Sequence, residues 1–228
     1  FICTSATIGN AAQFTEKLIG EKVEIIDQNS APQGGKSVIF YNPPIENKTL
    51  GVRTSSLSES IRIAHNFAEK NIQTLVFQLS RRSVELSLKI SREKYHGIVE
   101  EVQSYRSGYL AKDRRSLEKN LRLEKIKVLF STNALELGMD IGGISNVILA
   151  GYPGSIASTL QQIGRSGRKY NESSAIFIAN DSPIDQYLIK RPELFFINSP
   201  ENALINPDNQ LILLQHLRCA MHEIMFFD

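Results

Sequence analysis

Short apolar runs recur along the chain, and segments with helical periodicity separate them. The runs are residues 37–41, 74–77, 126–130, 146–150 and 175–179. Several are apolar on both faces, as buried parallel strands are. Between them, apolar residues follow the period of a helix, for example at Leu57, Ile61 and Ala64 and again at Ile156, Leu160 and Ile163. The alternation predicts βαβ units, and therefore an α/β domain with an open, mostly parallel sheet and helices on both faces.

Connectors and a boundary interrupt this pattern near the start of the chain. Segments 30–37 and 42–55 are rich in Ser, Pro, Gly and Asn, so we place a domain boundary near residues 31–35.

Segment 211–225 repeats apolar residues at helical spacing and predicts a helix that needs a partner surface. The chain opens without Met on Phe1-Ile2-Cys3, which has strand character, and we interpret it as a piece of a longer protein.

Composition and charge exclude several classes of protein. The 228 residues are 42% apolar and 22% charged, which favours a folded core over disorder. The formal charge of +2 excludes a polycation that coats nucleic acid, so any site for a polyanion must be local. The positive charge concentrates in segment 81–127, with thirteen basic and seven acidic side chains.

Membrane and disulfide-stabilised classes are also disfavoured. No apolar run approaches the ~18 residues of a membrane span, and the first residues do not resemble a signal peptide. Cys3 and Cys219 lie at opposite ends of the chain, which fits a reducing compartment. We therefore expect a cytoplasmic protein without membrane partners.

The chain by itself lacks the parts for metal-assisted phosphoryl transfer. Gly35-Lys36-Ser37 resembles the end of a P-loop, but Ser30 occupies the required glycine position and a strand follows instead of a helix. No predicted strand ends in paired acidic residues that could hold Mg²⁺. On a helix, His216 and His222 point apart, so we predict no metal site.

Segment 161–168 carries the clearest chemistry. Arg165 and Arg168 are three residues apart, so on a helix they share one face. Gly164 and Gly167 remove side chains that would block a polyanion, and guanidinium groups match phosphate oxygens. The alternative is a solvated basic helix end.

Segment 131–142, after a predicted strand, carries a second candidate. Thr132 and Asn133 place a hydroxyl and an amide where a phosphate can be held, and Asp140 could accept a ribose hydroxyl. The alternative is a plain helix-capping sequence.

In chain order, these segments resemble the motifs of superfamily 2 helicases. Ser5, Ala6 and Thr7 resemble the third motif, segment 132–140 the fifth and segment 161–168 the sixth. Segment 77–82 resembles the fourth motif, and segment 105–115 the element after it. With residues 133–138 and 217–223, they are similar to the bacterial YprA-like, mitomycin-repair type of DEAD/DEAH-box DNA helicase, over nearly the whole chain.

The resemblance implies a domain organisation. Residues 1–30 correspond to the tail of a first RecA-like domain, residues 31–200 to the second, and residues 201–228 to a helical extension that leads into a downstream domain. The P-loop and acidic box, and with them the Mg²⁺, belong upstream of Phe1. We therefore expect the fragment alone to bind no cofactor and to be inactive as an enzyme.

The resemblance also implies roles for individual residues. ATP lies between the two RecA-like domains, with Arg165 and Arg168 as arginine fingers and with Gln161, Gly138 and Asp140 at the nucleotide. Ser5, Ala6 and Thr7 couple the two sites. The residues expected at the nucleic-acid backbone are Ser80, Arg81, Arg106, Arg114, Thr132 and Asn133. Many relatives carry arginine at the position of Gln162.

The function that the resemblance implies is that of an ATP-dependent DNA helicase with a role in DNA repair. Its partners are single-stranded or partly duplex DNA and the first RecA-like domain of the same chain. An RNA helicase of the same superfamily stays open, because the residues do not distinguish the two sugars. A nucleic-acid-binding module without hydrolysis also stays open. A dinucleotide-binding enzyme is disfavoured, because no glycine-rich fingerprint follows any strand.

Overall fold

The computed structural model describes residues 1–5, 7–28, 30, 34–106, 108–136, 144–167, 172–197 and 200–224. The chain forms two compact units. One comprises Ser30–Asn198, and the other combines Phe1–Asn29 with Ser199–Asp228. Within the described residues, no helix is long and apolar enough to cross a membrane.

The larger unit contains eight strands and six α-helices within the described residues. The strands are β1 (Lys36–Tyr41), β2 (Ile45–Asn47), β3 (Val52–Arg53), β4 (Thr74–Gln78), β5 (Val102–Tyr105), β6 (Val128–Ser131), β7 (Asn146–Ala150) and β8 (Ser173–Ile178). The helices are α2 (Ser56–Ala68), α3 (Arg81–Lys94), α4 (Ala111–Arg122), α5 (Ile156–Gly164), α6 (Pro183–Lys190) and α7 (Leu194–Ile197). Two 3-10 turns cover His96–Glu101 and Asn133–Leu135.

Six strands form one parallel sheet in the order β1-β8-β7-β4-β6-β5. The predicted α/β class is therefore confirmed, and the architecture is that of a RecA-like domain. Each of the five predicted strands overlaps an observed one. The pattern missed β5, a short edge strand with polar residues, and the antiparallel hairpin of β2 and β3.

The sheet separates two halves of the core. On one face, Ile61 of α2 and Val84 of α3 pack on strand residues such as Val76. On the other face, Leu121 of α4 and Ile163 of α5 pack on residues that include Leu75 and Phe77. Alternate residues of β4 therefore serve opposite faces, as the two-residue period of a strand requires.

Serine residues set the start of four helices. The side-chain oxygens of Ser55, Ser80, Ser155 and Ser182 each accept a hydrogen bond from the backbone N–H three residues later. This contact satisfies one of the N–H groups that a helix leaves without an intrahelical partner. The helices after β4 and β7 therefore begin close to the carboxyl ends of those strands.

The smaller unit contains α1 (Ala11–Ile19) and α8 (Gln210–Glu223). Its two chain segments meet where the Asn10 side chain donates to the Ala203 carbonyl oxygen and accepts from the Ala203 N–H. The predicted helix near residues 211–225 is present, and none of its described residues is buried. Residues 1–3 form no strand, contrary to our expectation, because a strand requires a hydrogen-bonded neighbour and no described segment pairs with them.

His65 is a buried ionisable group in the core. Its ring stacks on Tyr95 with centroids 3.7 Å apart. Neither ring nitrogen has a hydrogen-bond partner among the described residues. Burial lowers the pKa of His65 from 6.5 to about 4, because the charged form loses its hydration.

We predict that acid destabilises the protein through His65. The unfolded chain takes up a proton near pH 6.5, whereas the folded protein does so only near pH 4, so the free energy of unfolding falls as the pH drops between these values. The full effect is about 3 kcal/mol. Urea unfolding of the 228-residue chain at several pH values measures it. His65→Phe should remove this part of the pH dependence, and an unchanged pH profile in that variant would contradict the assignment.

Candidate functional site

Helix α5 ends earlier than the sequence suggested. Its last helical residue is Gly164, and Arg165 is the C-cap. Ser166 then forms an isolated parallel bridge with Ile144, and Gly167 adopts φ +115°, which favours glycine. The helix therefore ends at Gly164 and not beyond Arg165, and Arg168 lies outside the described residues.

Lys36 holds the end of α5 from the neighbouring strand β1. Its Nζ donates to the Ile163 carbonyl oxygen at 3.0 Å, and the Ser166 hydroxyl donates to the same oxygen at 2.8 Å. A cation is favourable there because the carbonyl end of a helix carries partial negative charge. Partial burial lowers the pKa of Lys36. Residues 36–37 belong to a strand, as expected, and not to a P-loop.

Glu136 joins the segment after β6 to α5. Its carboxylate accepts hydrogen bonds from the Ser158 hydroxyl at 2.8 Å and from Gln162 Nε2 at 3.0 Å. Its backbone carbonyl accepts from Arg165 Nε at 3.1 Å and from Nη2 at 2.5 Å. The candidate arginine therefore lies directly beside the segment that resembles the fifth helicase motif.

Thr132 and Asn133 differ in how accessible they are. Thr132 caps the 3-10 turn, accepting from the Ala134 N–H at 3.4 Å, and is only 7% exposed. Asn133 is exposed at the start of the same turn. The capping interpretation thus describes the local role of Thr132, while Asn133 presents the more accessible polar group.

A small pocket of about 110 Å³ opens at the carboxyl ends of the central strands. It is lined by Phe77, Gln78, Leu79, Asn133, Gly151, Pro153 and Gln162. The helices after the adjacent strands β4 and β7 pack on opposite faces of the sheet. Ligands of open α/β sheets bind where the connections diverge in this way.

The wall of the pocket after β7 is held by the next strand connection. The buried carboxylate of Asp185 accepts from the backbone N–H groups of Tyr152 and Asn180 at 3.2 and 2.8 Å. Gly151 adopts φ +97°, and a Cβ at this position would overlap the Asn180 side chain. A glycine is therefore required at this point of the wall.

The remaining predicted contacts with nucleic acid follow β4 and β5 at the same edge of the sheet. Ser80 caps α3, and Arg81 is exposed at its first residue. Arg106 donates to Glu85 at 2.8 Å, and Arg114 lies 3.6 Å from the Glu118 carboxylate. Exposed ion pairs of this kind are weak, so both arginines can exchange their partner for a phosphate.

The other predicted residues belong to the smaller unit, lie on α5 or fall outside the described part of the chain. Ser5 and Thr7 belong to the smaller unit, where the Thr7 N–H donates to the Ser5 hydroxyl at 3.4 Å. Gln161 is half-buried on α5. The residues that lie outside the described part are Ala6, Gly138, Asp140 and Arg168. Among the described residues, no group of three His, Cys, Asp or Glu side chains could hold a metal ion.

The sequence interpretation missed Glu136 and Lys36. Glu136 lies between two leucines, shortly after a buried strand, and a charged residue in such a setting usually has a buried partner. Lys36 was considered only as part of a P-loop. Its partner Ile163 is 127 residues away in the chain, and no local pattern predicts such a contact.

Comparisons with known proteins identify the family of the chain. Residues 53–170 match the helicase conserved C-terminal domain. The chain is 48% identical to the ATP-dependent helicase YprA of Bacillus subtilis (strain 168), over 99% of this chain and 30% of YprA. It therefore spans less than a third of that relative.

Two crystal structures of the DUF1998 helicase MrfA are similar to the chain. The structure bound to DNA has a TM-score of 0.92 at 48% identity, and covers 99% of this chain and 30% of that one. The structure bound to DNA and AMPPNP has a TM-score of 0.89 at 46% identity. The match covers 99% of this chain and 32% of the MrfA chain. The resemblance seen in the motifs is confirmed: the chain belongs to the helicase conserved C-terminal domain family and is a close relative of YprA and MrfA.

Proposed function

We propose that the chain is the second motor domain of an ATP-dependent superfamily 2 DNA helicase. The observation that carries the proposal is the contact between Glu136 and Arg165. It brings the segments that resemble the fifth and sixth motifs together beside α5. MrfA has the same fold and is 46% identical to this chain over 99% of the chain's length. It binds DNA and AMPPNP.

In this proposal, Arg165 acts on ATP held between this domain and a preceding RecA-like domain. The guanidinium stabilises the negative charge that develops on the transferred phosphoryl group. In the structure it donates to a neutral carbonyl oxygen, and phosphate oxygens are stronger acceptors for it. By the family resemblance, the nucleotide is also contacted by Arg168, Gln161, Gly138 and Asp140. Mg²⁺ is held by the preceding domain.

The proposal includes the domain limits. Residues 31–200 form the second RecA-like domain, residues 1–30 belong to the end of the first, and residues 201–228 lead into a further domain. The compact unit over Ser30–Asn198 supports the limits of the second domain. Ser5, Ala6 and Thr7 then couple nucleotide and nucleic acid from the first domain.

The nucleic-acid backbone lies along the carboxyl edge in this proposal. The exposed amide, hydroxyl and guanidinium groups come from Asn133, Ser80 and Arg81. Arg106 and Arg114 add two further guanidinium groups, and the buried Thr132 precedes Asn133. Segment 81–127 supplies the positive field that a polyanion requires. DNA is preferred to RNA because MrfA is bound to DNA. A role in DNA repair in the bacterial cytoplasm rests on the family resemblance alone.

We predict that Arg165→Ala in the full-length protein lowers DNA-stimulated ATP hydrolysis by about 10³-fold or more, because the developing charge loses its guanidinium. Nucleotide binding should change little, because the preceding domain supplies most of the phosphate contacts. Steady-state turnover and titration with a fluorescent ATP analogue measure the two effects. Arg191→Ala, an exposed arginine after α6, is the matched control. Wild-type turnover in Arg165→Ala would refute the assignment.

We also predict that Arg81→Ala with Arg114→Ala weakens DNA binding in a salt-dependent way. Each lost phosphate contact should reduce the slope of log K against log salt by about 0.7 on single strands, because fewer counterions are released. Fluorescence anisotropy at several salt concentrations measures the slope. The double variant Lys190→Ala with Arg191→Ala removes the same charge outside segment 81–127 and should leave the slope unchanged. An unaltered slope in the first variant excludes both arginines from the interface.

A further inference from the structure

We infer that Glu136 is a positioning residue that couples the nucleic-acid contact at Asn133 to Arg165. The inference rests on the proposed function, in which Asn133 faces the nucleic acid and Arg165 faces the nucleotide. Glu136 itself touches neither ligand in this scheme. It acts through the residues that it holds.

The carboxylate of Glu136 fixes one side of α5. Glu136 is only 7% exposed, and each of its carboxylate oxygens accepts one hydrogen bond from α5. The donors, Ser158 and Gln162, lie one helical turn apart and so present a two-point contact. A buried carboxylate that loses a donor is left with a poorly compensated charge, which is costly. The segment around Glu136 and helix α5 therefore move together.

The backbone of Glu136 completes a path between the two sites. Its N–H donates to the Asn133 carbonyl oxygen at 2.9 Å, which ties it to the exposed end of the 3-10 turn. Its carbonyl oxygen receives Arg165 Nε and Nη2. One residue thus touches the turn at Asn133 through its N–H, α5 through its side chain and Arg165 through its carbonyl.

This arrangement predicts how a displacement at Asn133 changes the position of Arg165. A strand that displaces the turn at Asn133 shifts the Glu136 carbonyl, and with it the acceptor that holds Arg165. The carboxylate contacts keep α5 aligned during that shift, so Arg165 moves as part of a defined unit. Loss of the carboxylate leaves both binding surfaces intact but loosens Arg165. Misplacement of a catalytic group by about 1 Å costs roughly 100-fold in rate.

The test uses Glu136→Ala, Glu136→Gln and Ser158→Ala in the full-length protein. ATP turnover is measured with and without saturating single-stranded DNA, together with the KM for ATP and the Kd for DNA. Glu136→Ala should lower DNA-stimulated kcat about 10- to 100-fold, with KM and Kd within about threefold of wild type. Glu69→Ala, at an exposed glutamate that follows α2 outside segment 81–127, is the matched control and should change nothing.

The conservative variants separate coupling from a general loss of structure. Glu136→Gln should retain most of the stimulation, because its amide oxygen accepts from Ser158 and its NH₂ group donates to Gln162 once that amide rotates. Ser158→Ala should lose less than Glu136→Ala, because one contact remains. If Glu136→Ala does not fold, Ser158→Ala alone decides: reduced stimulation at unchanged affinity supports the inference, and unchanged stimulation overturns it.

Arg165→Ala distinguishes failure of the inference from failure of the proposed function. If Arg165→Ala abolishes turnover while Glu136→Ala keeps wild-type stimulation, only the inference fails. If Arg165→Ala itself keeps wild-type turnover, the arginine-finger assignment fails first. The double variant should be no slower than Arg165→Ala, because Glu136 acts through Arg165. Fully additive losses, or equal losses in Glu136→Gln and Glu136→Ala, overturn the coupling role.

Discussion

Parallel hydrogen bonding between strands is the constraint on which the site depends. All six strands of the sheet run in one direction, so every strand ends at the same edge. Residues 79–81, 132–136 and 151–155 are far apart in the chain, yet they follow strands that are neighbours in the sheet. The edge gathers short loops of low apolar content, and the buried strands beneath it keep those loops in register.

Polar contacts between elements then fix the loops with a precision that hydrophobic packing alone does not supply. Glu136, Lys36 and Asp185 each bring a charged group into contact with backbone or side-chain groups of another element. Such contacts add little net stability, because desolvation offsets much of the attraction. Their effect is geometric, since each tolerates only a narrow range of positions. The end of α5 is held in this way by Lys36 at Ile163 and by Glu136 at Arg165.

The positive charge of the chain is concentrated in one segment. A formal charge of +2 over 228 residues conceals the basic segment 81–127 and the acidic remainder. Arginines of this segment are held in exposed ion pairs, as with Arg106 and Glu85. Because water and salt screen such pairs, each arginine can exchange its carboxylate partner for a phosphate at little cost.

The sequence by itself determined the class of fold, most strands and helices, and the segments that carry the family resemblance, because hydrophobic periodicity and short motifs are local properties. It also placed Thr132 and Asn133 directly after a strand, at the edge of the sheet where loops after parallel strands meet. It did not predict the end of α5 at Gly164, the burial of Thr132, or the roles of Glu136 and Lys36. Those depend on contacts such as that between Lys36 and Ile163. Only the tertiary structure decides them, because the partner of a charged side chain depends on how the chain packs and not on its neighbours in sequence.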